Sequence, residues 1–147
     1  MSERPATYET HLSQLLAGRT RAVREPALWH ERILDGLPIS GVETVKARAA
    51  LTDAEMARLL GIGEATLRRA RASGEPLDPV TGDRLFRLSK VIAVALEVLE
   101  TDENVRTWMH RGQPGLGGDV PLNRLLTQAG AEAVETLLWR IEYSVLT

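Results

Sequence analysis

No stretch of this chain alternates apolar with polar residues over the four to eight positions of a half-buried β-strand, whereas Gly, Pro and capping residues recur at the spacing of helix ends. The chain is therefore read as all-α. Composition agrees: only six aromatic residues occur (three Trp, two Tyr, one Phe), so the core falls to Leu, Val, Ile and Ala, which argues against a sandwich or barrel. At about 150 residues per domain, a length of 147 fits one domain or two small lobes sharing a core.

The expected elements follow from the punctuation. Tyr8, Leu12, Leu15 and Leu16 share one face of a weakly amphipathic helix stopped by Gly18, followed by the polar run to Pro26, so that residues 1–26 read as an N-terminal arm, with a frayed, flexible segment as the alternative. A second helix carries Leu28, Trp29, Ile33 and Leu34 and ends at Gly36, before Leu37-Pro38 turns the chain. Two capping boxes are expected, Ser40 with Glu43 and Thr52 with Glu55, each opening a helix. Further helices fit residues 64–72 and a long segment opened by Asp78-Pro79 and reaching about Glu100. Another covers 101–109, the Gly- and Pro-rich run 111–121 reads as loop, and Leu122–Gln128 and Ala131–Tyr143 read as two helices separated by Gly130.

Several function classes recede at this stage. There is no cysteine, hence no disulfide framework, thiolate metal site or Cys nucleophile. The longest wholly apolar run, Val91–Leu96, is far short of the roughly 20 residues that span a bilayer, and the first residues lack a signal-peptide pattern. The expectation is a cytoplasmic protein without membrane contact. His11, His30 and His110 are far apart in sequence with no carboxylates at ligand spacing, so neither a metal centre nor a catalytic constellation is expected, and no cofactor.

Charge divides unevenly: residues 1–42 balance, residues 43–90 carry nine Lys or Arg against seven acids, and residues 91–147 carry four Arg against eight acids. The middle segment alone leans basic, which suggests different partners for different parts of the chain. Within it, residues 53–72 have helix-turn-helix spacing. Met56, Leu60, Ile62, Leu67 and Ala70 are the apolar contacts, Ala57 is small where the helices cross, and Gly61 sits at the turn. If Leu67 and Ala70 face inward, Glu64, Ala65, Arg68 and Arg69 share the opposite face, with Thr66 at its edge. That face suits the major groove: Arg68 or Arg69 to guanine, Glu64 to cytosine, Thr66 to a phosphate or a thymine methyl, and Arg71 to the DNA backbone. The small positive balance implies weak binding by one copy, and so a dimer reading two half-sites.

Residues 51–92, followed by 108–145, resemble the Xre/ParS/MbcA-type antitoxins of bacterial type II toxin–antitoxin modules. The resemblance includes Gly36-Leu37-Pro38, Asp83-Arg84-Leu85, Trp108, Leu116-Gly117-Gly118 with Pro121-Leu122, Gly130 and Arg140-Ile141. It implies a helix-turn-helix domain over 27–90 and a small helical toxin-binding domain over 91–147. It also implies a RES-domain toxin that consumes or transfers from NAD as partner, its active site covered by the antitoxin, and a complex that binds its own operator as duplex DNA. The other reading is a free-standing transcriptional regulator whose acidic lobe only dimerises.

On the last helix Leu137, Leu138, Ile141 and Val145 form an apolar stripe suited to the core, while Arg140, Glu142, Tyr143 and the terminal Ser144 to Thr147, Val145 among them, are the partner-facing set. Glu142 or the terminal carboxylate would pair there with a basic residue that otherwise holds phosphate. Trp108 is expected as a core anchor beneath the loop of Leu116, Gly117, Gly118 and Pro121, whose glycines would let backbone approach the ring. That loop is not read as a phosphate cradle, since it follows a helix and no Lys-Ser or Lys-Thr comes after it.

Overall fold

The computed structural model describes residues 7–17 and 26–144, and these residues form nine α-helices, one short 3-10 turn and no strand. In chain order the helices are α1 (Thr7–Ala17), α2 (Pro26–Asp35), α3 (Ser40–Ala49), α4 (Asp53–Leu60), α5 (Glu64–Ser73), α6 (Pro79–Leu99), α7 (Asp102–Met109), α8 (Pro121–Arg124) and α9 (Gln128–Ser144). The 3-10 turn, Pro114–Leu116, lies inside the segment read as loop.

Their ends are largely written in side chains. Thr52 and Glu55 make the full capping box at α4: the Glu55 amide donates to Thr52 Oγ1 at 3.1 Å and the Thr52 amide to Glu55 Oε1 at 2.9 Å. Asp78 caps α6 by accepting from the Thr81 amide at 2.9 Å, with Pro79 in the first helical position. That bond, with a second from the Thr81 hydroxyl at 2.8 Å, holds the Asp78 carboxyl below its ordinary range. The expected box of Ser40 with Glu43 does not form. The chain is already helical at Ile39, whose carbonyl accepts from the Val42 amide, while Pro38 accepts from Gly41. Ser40 thus lies inside the first turn, and Glu43 is taken by Arg71 of α5.

α6 is the axis of the molecule. Every residue from Val91 to Leu96 is buried, because α1 and α9 cover it along much of its length while α2, α3, α4 and α7 pack around the rest. A helix apolar on all sides is stable only when enclosed in this way. α6 also passes residue 90 without interruption, so the helix-turn-helix segment and the acidic segment share one core.

Thr7–Ala17 is part of that core and not an arm: Leu12, Leu15 and Leu16 are each at most 3% exposed and pack toward α6 and α3. The apolar face read as weak is sufficient because α6 offers a matching surface. The remainder of the expected arm, 1–6 and 18–25, lies outside the described residues.

Two corrections concern the acidic lobe. Gly130 does not separate two helices but sits in the first turn of α9, where its backbone closes on the end of α8. A Cβ there would collide with the Arg124 carbonyl oxygen and lie 2.8 Å from its carbon. Trp108 is only half-buried; Val105 and Met109 are the interior residues of α7. Gly117 and Gly118 approach no ring, since a Cβ at either would meet nothing within 4 Å, and they are needed for their φ of +64° and +90°. The close approaches in this loop are Gly112 against the Gly118 carbonyl and Gly115 against Leu137 of α9.

Gly130→Ala should therefore reverse the usual helix preference. Alanine in a helix interior normally stabilises by about 1 kcal/mol over glycine. Here the overlap is with rigid backbone, and a loss of about 3 kcal/mol is expected, as for severe overpacking. Urea unfolding measures it; an unchanged or raised midpoint would show that α8 yields freely.

Candidate nucleic-acid interface and partner surface

The α4–α5 pair is fixed by short-range geometry. Gly61 ends α4 at φ 71°, its amide donating to Arg58 and that of Ile62 to the Ala57 carbonyl at 3.0 Å. The left-handed φ favours glycine there, and Arg84 Nη1 reaches across to the Leu60 carbonyl at 3.2 Å, so that a Cβ on Gly61 would displace its guanidinium. Met56, Leu60 and Leu67 are buried, Ala57 is buried at the crossing, and Ile62 and Ala70 are half-buried.

With Leu67 turned inward, Glu64, Ala65, Thr66, Arg68 and Arg69 all lie on the exposed side of α5. Arg69 Nη2 donates to Thr66 Oγ1 at 3.2 Å along that face, and Arg68 has no hydrogen-bond or ion-pair partner among the described residues. At 1.5 Å per residue the ten residues of α5 span about 15 Å, a length that enters a groove about 12 Å wide.

Arg71 departs from the expected role. Its guanidinium binds Asp53 of α4 through Nη2 at 2.6 Å and Nη1 at 3.0 Å, and Nε binds Glu43 of α3. Lys46 adds a second cation to Asp53 at 3.0 Å. The Arg71 and Lys46 contacts hold the Asp53 carboxyl well below the carboxylate range, and the two acids push the Arg71 guanidinium further up. Arg71 therefore clamps α5 to α3 and α4 instead of projecting to a ligand. The sequence signal was an acid at the first position of α4 and another on α3, neither of which helical phase alone connects to residue 71.

Between the two segments lies a polar seam that sequence reading missed. Arg48 donates to Asp102 at 2.8 Å, Arg106 to the Ala47 carbonyl at 2.7 Å and the Arg48 carbonyl at 3.1 Å, and Arg58 to Asn123 at 2.9 Å. His110 Nε2 lies 3.5 Å from Glu55, the capping carboxylate of α4. Arg106 thereby ties α7 to the C-terminal end of α3, adding a second donor to the Ala47 carbonyl, which also accepts from the Ala50 amide.

On α9, Leu138 is buried and Leu137 and Ile141 are half-buried, so the expected stripe faces inward as far as the described residues go. Arg140, Tyr143 and Ser144 are exposed, Tyr143 at 60%, whereas Glu142 is half-buried; Val145 lies outside the described residues. Tyr143 stacks on Trp139 with ring centres 6.0 Å apart, and Trp139 meets Tyr8 edge-on at 6.1 Å. Arg140 has no partner among the described residues. With Thr136 and Leu137 it borders a cavity of about 370 Å³ closed on the other side by Gly115–Gly117 and Arg124, the latter held by Asp119 at 2.8 Å. No group of three or more metal-ligating side chains occurs among the described residues, and none of their helices is long and apolar enough to cross a membrane.

Comparison with known proteins divides the chain along the same lines. Residues 28–90 match the antitoxin Xre-like helix-turn-helix domain, and residues 94–143 match the antitoxin Xre/MbcA/ParS C-terminal toxin-binding domain. Among curated proteins, Antitoxin Xre of Yersinia enterocolitica serotype O:8 / biotype 1B is 28% identical over 142 residues, covering 87% of this chain and 96% of the relative. Antitoxin Xre of Pseudomonas putida is 29% identical over 112 residues, covering 76% of this chain and 69% of the relative.

Proposed function

Because this chain belongs to the antitoxin family that joins an Xre-like helix-turn-helix domain to an Xre/MbcA/ParS toxin-binding domain, we propose that it neutralises a RES-domain toxin in the cytoplasm and, as a dimer, represses its own operon. The observation that carries this reading is the division of exposed chemistry. α5 offers Arg68, Arg69, Thr66 and Glu64 on one open face, while the end of α9 offers Arg140 and Tyr143 on another. The names of the relatives support the antitoxin role and the matched C-terminal domain supports a toxin partner; its RES class is what the sequence resemblance implies.

In this mechanism the last turns of α9 lie over the toxin's cleft. Arg140, which has no partner among the described residues, meets a carboxylate of the toxin, and the stacked Trp139–Tyr143 pair supplies a rigid aromatic contact at low entropic cost. Glu142 and the residues that follow reach cationic groups that bind the dinucleotide. On DNA, two copies place their α5 helices in successive major grooves about 34 Å apart.

The test is co-expression with the neighbouring reading frame. The full chain is expected to restore growth and to co-purify with that product. A chain ending at Arg140 is expected to lose protection while keeping promoter binding. Full protection by the truncated chain would remove the role given to residues 141–147, and an innocuous neighbour that does not co-purify would favour a free-standing regulator.

A further inference from the structure

Three of the five exposed large apolar side chains among the described residues border one groove: Leu34 of α2 at 56% exposure, Val80 of α6 at 62%, and Leu126 beyond α8 at 44%. The groove encloses about 550 Å³, and the first turns of α6 form its charged wall with Asp83, Arg84 and Arg87. Exposed apolar side chains gathered beside charges of both signs offer a partner a mixed surface, apolar and ionic together. None of its lining residues belongs to α5 or to α9, so an occupant leaves both faces of the proposed function open.

The charges identify the occupant. Arg84 is spent on the Leu60 carbonyl, but Asp83 and Arg87 have no ion-pair or hydrogen-bond partner among the described residues. They stand one helical turn apart, with the acid nearer the N-terminus, the favourable order for an internal pair, and yet do not make it. A nucleic acid or any partner of one sign would meet one attractive and one repulsive charge here. A second copy meets two attractive ones: with the two α6 helices antiparallel across a two-fold axis, Asp83 of each copy faces Arg87 of the other, and the apolar residues close around them.

From these features we infer that this groove is where the chain pairs with a second copy of itself. The inference rests on the dimeric repressor reading above and deepens it by assigning the surface. Arg84 links the groove directly to the turn between α4 and α5, so pairing here fixes the two α5 helices relative to one another.

Sedimentation velocity of the full chain over a range of concentrations, without toxin or DNA, tests this. The wild type is expected to be dimeric. Val80→Glu and Asp83→Arg are each expected to raise the dimer dissociation constant at least tenfold with unchanged circular dichroism. The double variant Asp83→Arg, Arg87→Asp is expected to restore dimerisation to within about threefold of the wild type, a rescue that a merely disturbed fold would not show. A wild type that is monomeric throughout overturns the dimer reading and this surface together. A dimer insensitive to both single variants overturns the surface alone. Loss of toxin capture by Val80→Glu with the dimer intact assigns the groove to the toxin and equally overturns the inference.

Discussion

Replacing Arg68 and Arg69 together by alanine is expected to weaken binding to the promoter by on the order of 10²- to 10⁴-fold while toxin capture persists. Both side chains lie on the exposed side of α5, and neither contributes to the packing that Leu67 provides. A bidentate arginine–guanine contact discriminates by about 1–3 kcal/mol, and each 1.4 kcal/mol is about tenfold, so losing two is a large fraction of specific binding. The loss also removes two cations that can neutralise phosphate, so the salt dependence of residual binding should become shallower. Fluorescence anisotropy with a promoter fragment at several fixed salt concentrations measures both effects. Retention of affinity within threefold by the double variant would show that another face of the molecule meets DNA.

The helix-turn-helix was legible in the sequence because its determinants are local. A capping box at Thr52, a left-handed turn at Gly61 and the phase of Leu67 lie within sixteen residues, and each fixes the direction of the next. Phase also placed the exposed residues of α9. It did not reveal what reaches in from elsewhere. The partner of Arg71 on α3 lies 28 residues away, and the pattern Ser40–Glu43 is a capping box in letters whose carboxylate is recruited by that same arginine. Gly130 reads as a helix stop because glycine often is one; only the approach of the Arg124 carbonyl shows that the missing Cβ is the requirement. Trp108 reads as an anchor by size, but the turn of α7 gives the interior to Val105 and Met109.

Removing residues 1–17 is expected to abolish cooperative folding, an outcome opposite to that for a flexible arm. α1 contributes Leu12, Leu15 and Leu16 to the core, each almost fully enclosed against the central helix and α3. Burying a leucine is worth about 1.5–3 kcal/mol, so the three together contribute on the order of 5–9 kcal/mol. That is an upper estimate, because the unfolded chain already shields part of this surface. It is still comparable with the roughly 5–15 kcal/mol that separates folded from unfolded states in a typical domain. The truncated chain would also leave one side of α6 bare, including part of the run in which every residue from Val91 to Leu96 is buried, and would expose it to aggregation. Leu15→Ala, which keeps the helix, should give a graded loss of about 2–5 kcal/mol and so separates packing from the mere presence of the segment. Thermal and urea unfolding of both variants measure this. A truncated chain melting within 2 °C of the full one would mean that α1 docks without supporting the core. α6 also joins the helix-turn-helix to the acidic lobe, so α1 acts on both functions at once: promoter binding and toxin capture should fail together in the truncated chain.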